Sequence, residues 1–239
     1  MRLASFLLLL PLVACGGMAD QTARAVLEDG EADGWTDLFD GATLEGWHGY
    51  ATDEVSDKWS VQDGVMILVP DGGDWDGDLV APGGPYGDFA LEVEWAVQEC
   101  GNSGIFYRGE ESADLAPIWR TALEAQILDD SCHPDGQYPS HRVGGLYDLY
   151  VPEPGAERPG GAWNTTRIVA DGDRLEHWLN GRLVLEAEQG SDDWNARLAV
   201  SKFRDADTFP AYGTRRTGII GIQDHGDTLR VRAVRIRSL

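Results

Sequence analysis

The feature that most limits what this chain can fold into is a two-residue period running from Trp35 to the carboxyl terminus. In DFALEVEWAVQE, Phe89, Leu91, Val93, Trp95 and Val97 alternate with Ala90, Glu92, Glu94, Ala96 and Gln98. Successive side chains of a strand point to opposite faces, so this pattern describes a strand buried on one side. GIFYRG, TALEAQIL, WNTTRIVADGDRLEHWLNGRLVLEAE, GIIGIQ and LRVRAVRIRSL continue it. KWSVQDGVMILVP describes a hairpin turning at Asp63-Gly64, and DGDR and LNGR mark two more, with Asn180-Gly181 as a type I′ pair. Nothing before the carboxyl terminus sustains a helical period. The prediction is all-β: one antiparallel sandwich of about a dozen strands in two sheets.

Residues 129–162 break the pattern. They are rich in Gly, Pro and polar residues and form one long excursion from the sandwich, of the kind that usually carries function in a compact domain. Sorting the neighbouring strands by period two puts Glu124 and Gln126 on one face with Ala122, and Leu123, Ala125 and Ile127 on the other. In GIIGIQDHG, Gly221, Gln223 and His225 share a face opposite Ile220 and Ile222. A tight turn needs a glycine and a small or polar residue, but it has no need of an imidazole. A carboxylate, amides and an imidazole gathered on one face describe a binding hollow better than a solvated surface.

The amino terminus fixes the expected compartment. Arg2 and the apolar run Phe6 to Leu12 make a short export signal, too short to span a bilayer as a helix. Leu12-Val13-Ala14-Cys15 resembles a bacterial lipobox, with residues 1–14 removed and Cys15 lipidated. More than one acyl chain would then hold the protein stably to a membrane. Residues 15–33 are expected to be a tether and 34–239 the domain. The localisation expected is therefore that of an exported bacterial lipoprotein, anchored and facing the periplasm or cell surface. In an oxidising compartment Cys100 and Cys132 are expected to pair, closing a loop that contributes roughly 3–4 kcal/mol. A formal charge of −22 excludes nucleic acid and anionic polymers as partners. The nine tryptophans exceed what a core of this size needs, and exposed ones are suited to packing on sugar rings.

Nine stretches, LFDGATLEGW, WSVQDGVM, DFALEVEW, GNSGIFYRG, LEAQILDD, GGLYDLY, GGAWNTTRIVADGDRLEHWLNG, VSKFRD and GIIGIQDHGDTLRVRAVRIRSL, follow one another from about Trp35 to Leu239. Together they resemble the 3-keto-disaccharide hydrolase domain family. The resemblance implies a concanavalin A-like jelly roll with a concave sugar-binding face. It also implies cleavage of sugars already oxidised at C3. A ketone there acidifies the C2 hydrogen. A base removes it, the enolate expels the group at C1, and water adds to the enone. The route needs a base, a cation or donor for the enolate oxygen, and an acid for the leaving group. No phosphate-cradling loop or dinucleotide-binding signature occurs, so a separate sugar 3-dehydrogenase is implied as the source of substrate.

On that chemistry His225, Glu124 and Lys202 are the catalytic candidates. His225 titrates nearest neutrality but also suits a turn that bonds backbone. Gln126, Gln223 and Asn102 are candidates to orient sugar hydroxyls, although Asn102 also suits a turn. Arg108 and Lys202 are alternatives for the enolate, and either also suits a surface charge. Asp129 and Tyr147 flank the long loop as cleft-lining candidates. His177 alternates with Leu175 and Leu179, which fits a core histidine as well as a site residue. A divalent ion is the only cofactor the residue types leave open, with Glu124, Asp129 and His225 as ligand types. Asp74, Asp76 and Asp78 imitate the start of an EF-hand loop, but its later glycine and glutamate are missing.

Two other readings stay beside the enzyme. One is a carbohydrate-binding surface lipoprotein without catalysis. The other is an ordinary retaining glucanase, disfavoured because Glu124 and Asp129 are oddly spaced and cannot point the same way along a strand.

Overall fold

The computed structural model describes residues 34–73 and 76–239. The export signal, Cys15, the tether and Asp74 lie outside the described residues.

Among the described residues thirteen strands form two antiparallel sheets. They are β1 (Thr36–Asp37), β2 (His48–Gly49), β3 (Trp59–Gln62), β4 (Val65–Leu68), β5 (Leu79–Val80), β6 (Phe89–Val97), β7 (Asn102–Gly109), β8 (Leu123–Leu128), β9 (Asn164–Asp171), β10 (Arg174–Leu179), β11 (Arg182–Glu188), β12 (Ile219–Ile222) and β13 (Leu229–Ser238). The larger sheet runs β11-β10-β9-β6-β13-β4-β3, with β1 also pairing β13. The smaller runs β2-β5-β12-β7-β8. This is the all-β, two-sheet sandwich that the alternation predicts. Asp63-Gly64 and Asn180-Gly181 turn the chain with positive φ at both residues, 51° and 80° in the first, 51° and 81° in the second, the type I′ geometry.

The core lies between the sheets. Leu91, Trp95, Ile168 and Val234 of the larger sheet meet Ile105, Tyr107, Leu123, Ala125, Ile127, Ile220 and Ile222 of the smaller. Each fully buried aliphatic among them contributes about 1.5–3 kcal/mol relative to exposure. The predicted sorting of β8 and β12 therefore holds for their inner faces. On the other face of the small sheet, Phe106, Val80, Ile118, Ala122 and Ile219 form a second cluster, with Trp119 and Tyr50 packed on it.

Among the described residues one α-helix interrupts the all-β reading. Residues Asp192–Leu198 form α1, capped by Ser191, whose Oγ accepts the Trp194 N–H at 3.1 Å. Asp192 and Asp193 open it and Arg197 closes it, favourable ends for a helix dipole. At seven residues it is too short to register as a helical period.

The long excursion is anchored at both ends. Cys100 and Cys132 are disulfide-bonded, 32 residues apart. Farther along, the loop returns to the open edge of β8. Gly144 N–H donates to Gln126 O, Gln126 N–H to Gly145 O and Tyr147 N–H to Glu124 O, at 2.9–3.1 Å. The excursion thereby extends the small sheet and sets Tyr147 beside Glu124.

Candidate active site

A cleft of about 260 Å³ lies on the outer face of the small sheet. Asn102 from β7, Glu124 and Gln126 from β8, and Gln223 and His225 from the segment after β12 all line it. Tyr147 comes from the returning loop and Lys202 from a 3-10 turn at Lys202–Arg204. Asp78, Asp224 and Trp119 complete the wall.

Glu124 is 5% exposed, and among the described residues no hydrogen-bond donor reaches its carboxylate. Burial, against the attraction of Lys202 and with a push from Asp135, raises its pKa to about 7. Space for the side chain comes from Gly104, where a Cβ would stand 2.6 Å from Glu124 Oε1. Lys202 holds its ammonium 4.2 Å from the centre of the Tyr147 ring. Tyr147 stacks in turn on His141, with ring centres 4.3 Å apart. Asp148 ties the assembly together, accepting from Lys202 N–H at 2.7 Å and bonding the His141 ring at 3.2 Å. Lys202 keeps solvent contact, yet the surrounding walls push its pKa down, partly offset by Glu124, Asp148 and Asp135.

His225 is half-buried, with its ring centre 6.5 Å from that of His133. Burial lowers its pKa, and His133 adds to this while Asp227 and Asp135 oppose it. Burial therefore favours the neutral imidazole. Gln126 and Gln223 are 1% and 7% exposed, and the Oε1 of each has no hydrogen-bond partner among the described residues. Gln126 spends its Nε2 on Asn102 Oδ1 at 3.3 Å. Buried acceptors left open in a cleft wall are what a ligand rich in hydroxyls would satisfy.

Three predicted site residues lie elsewhere, and their substrate-binding assignments are corrected. Arg108 sits in a β-bulge, where β7 carries one extra residue against β12, with a φ of 55°. The bulge breaks the period and turns the side chain inward. There it donates to Gln189 Oε1 at 2.5 Å and Gly172 O at 2.9 Å. His177 is fully buried between the sheets, near Gly144 O and Tyr107 Oη at 3.0 Å each. The carbonyl can only accept, so Nδ1 carries the proton and Tyr107 donates to Nε2. Burial lowers the His177 pKa to about 4, against bonds to the backbone of Gly144 and Gly145. Asp129 pins the start of the long loop. Its carboxylate accepts from Cys100 N–H at 3.0 Å, from Ser131 N–H at 3.2 Å and from Ser131 Oγ at 2.7 Å. Burial works to raise its pKa, but bonds from Ser131, Cys100 and Gly160 outweigh that and lower it.

Asp129 is thus committed outside the cleft, and the ligand set Glu124, Asp129 and His225 does not assemble. Among the described residues no three His, Cys, Asp or Glu side chains are arranged to hold a metal ion.

Asp78, Asp224 and Trp119 are the lining residues that period-two sorting missed. Asp78 precedes the two-residue strand β5, too short to show alternation. Asp224 follows the end of β12, where the chain leaves strand geometry.

The model of a 3-keto-α-glucoside-1,2-lyase-like domain matches residues 34–237. A 3-keto-disaccharide hydrolase of Bacteroides thetaiotaomicron is 36% identical over 232 aligned residues, covering 87% of this chain and 80% of that protein. A solved structure of a candidate glycosyl hydrolase from Parabacteroides distasonis superposes with a TM-score of 0.79 at 30% identity, covering 89% of this chain and 97% of that one. A galectin-like protein from Bacillus subtilis shares the fold alone, with a TM-score of 0.53 at 14% identity over 85% of this chain and 94% of that one.

Proposed function

This chain belongs to the 3-keto-α-glucoside-1,2-lyase-like domain family and is a glycoside-cleaving hydrolase, and we propose that it acts on sugars carrying a ketone at C3, by elimination and then hydration. The observation that carries this reading is a single cleft lined by Glu124, Lys202 and His225, with the open acceptors of Gln126 and Gln223 beside them.

Each group suits one step. Glu124, with a pKa near neutrality, takes the proton from C2. Lys202 stabilises the negative charge that grows on the C3 oxygen. The C1–O bond then breaks with its electron pair leaving on the alcohol oxygen. The enone left in the cleft accepts water at C1. Neutral His225 takes a proton from that water, and the protonated Glu124 returns its proton to C2. With the alcohol oxygen taking up one proton as it leaves and His225 releasing one to solvent, the sum is glycoside plus water giving alcohol plus 3-keto sugar. Gln126, Gln223 and Asn102 orient ring hydroxyls, and Tyr147 holds Lys202 in place through the ring contact.

The test is incubation with a 3-keto-glucoside and, separately, with its parent glucoside. Release of the alcohol from the keto form alone supports the reading. Release from the parent overturns it in favour of an ordinary glycosidase. The amino-terminal sequence extends the proposal to an acylated Cys15 anchor, facing periplasm or cell surface, with a separate sugar 3-dehydrogenase supplying the substrate.

A further inference from the structure

The elimination needs an acid for the departing alcohol oxygen, and Glu124, Lys202 and His225 already have other work. Asp78 lines the same cleft and is 5% exposed. Its Oδ1 accepts the Asp224 N–H at 2.9 Å. Asp224 is buried too, but its surroundings differ. Lys58 Nζ stands 3.2 Å from its Oδ2, Gly77 N–H donates to the same oxygen at 3.2 Å, and Gly226 N–H donates to Oδ1 at 2.9 Å. A cation and two N–H donors therefore surround the Asp224 carboxyl. Among the described residues Asp78 has that one N–H and no cation. A buried carboxyl with a single N–H donor and no cation beside it favours its protonated form.

We infer that Asp78 is the general acid of the reaction, giving its proton to the glycosidic oxygen as the C1–O bond breaks. This rests on the functional reading above. The Asp78 O–H bond breaks as the new O–H bond of the alcohol forms, and the carboxylate regains its proton from solvent. The titratable groups facing Asp78 are Asp224 after β12, Glu124 on β8, Asp76 on its own segment and Tyr50 after β2. Burial foremost, against the Asp224 N–H and with the charges of Asp224, Glu124 and Asp76, raises its pKa to about 8. The acid is therefore loaded where Glu124 is ionised enough to act as base.

The test compares methyl and 4-nitrophenyl 3-keto-glucosides. The methanol oxygen must be protonated as it leaves, and the nitrophenolate need not be. Asp78→Asn keeps an acceptor for Asp224 N–H but has no acidic proton. The variant should lose at least about 100-fold in kcat on the methyl substrate and stay within about 5-fold on the nitrophenyl one. A second measurement needs no variant. In the wild type, an alkaline fall in kcat near pH 8 should appear with the methyl substrate and be absent with the nitrophenyl one. Equal losses on both substrates, no loss on either, or identical alkaline limbs overturn Asp78 as the acid. Wild-type protein that cleaves neither substrate overturns the functional reading, and this assignment with it.

Discussion

The carboxylate of Glu124 rests over the Cα of Gly104, so closely that a Cβ at residue 104 would lie 2.6 Å from Oε1 and 2.9 Å from Cγ. Gly104 pairs with Gln126 across the β7–β8 ladder, so the missing side chain opens room within the sheet face itself. Gly104→Ala should displace the carboxylate without unfolding the strand, because the group that must move ends a flexible side chain. The expected result is a kcat loss of about 100-fold with a circular dichroism spectrum like the wild type. Unchanged kcat would mean that the observed position of Glu124 is not the working one.

Burial of Glu124 carries a stability cost whose sign can be read directly. Its folded pKa of about 7 lies above the ordinary 4.5. Stability from this group is complete below about pH 4.5 and is lost as pH rises through about 7, amounting to about 3 kcal/mol. Glu124→Gln removes the titration. The difference in unfolding free energy between variant and wild type should therefore grow in the variant's favour from pH 4 to pH 8. Chemical denaturation at both values checks it, and a flat difference would mean that Glu124 titrates normally.

Much of this architecture was legible because strand alternation is enforced by burial. Phe89 through Val97, the hairpin at Asp63-Gly64 and the inner faces of β8 and β12 all follow the two-residue rule. The rule failed where the backbone departs from regular pleating. At Arg108 a bulge turns the side chain inward, and at Asp224 the chain has already left β12. His177 obeyed the rule, but alternation cannot tell a buried polar residue with two partners from one that faces substrate. Asp78 stood out in sequence only as part of an incomplete EF-hand pattern and gave no signal of a place in the cleft, since its environment is assembled from Asp224 and Glu124, remote in sequence.

Lys202 reaches the cleft across the Tyr147 ring, and its backbone is held by Asp148. Lys202→Met keeps the length and apolar stem and removes the charge. If Lys202 stabilises the enolate oxygen, kcat should fall by about 10²–10³-fold with KM little changed. A rise in KM with kcat intact would instead make Lys202 a binding group.

His225 works in the hydration half of the reaction, so its loss should separate the two halves. His225→Ala should cut formation of the 3-keto sugar by at least about 100-fold. Alcohol release in a single turnover should persist, with the enone accumulating as an ultraviolet-absorbing product. Loss of both halves together would move His225 to the elimination step.

The disulfide fixes the long loop at the end opposite Tyr147. Cys100 precedes β7 and Cys132 lies in the excursion, while Asp129 between them bonds Cys100 N–H and Ser131. Cutting the bridge relaxes the unfolded chain by the entropy of a loop of this size, about 3–4 kcal/mol. Cys100→Ser should lower the Tm of oxidised protein and match wild type under reducing conditions. The folded cleft keeps its other anchors, the backbone bonds from Gly144, Gly145 and Tyr147 to β8. Activity of the variant well below its melting range should therefore stay within about 3-fold of wild type, because those bonds, not the bridge, hold Tyr147 beside Glu124. A large loss of activity in a folded variant would show that the bridge positions the cleft wall as well as stabilising it.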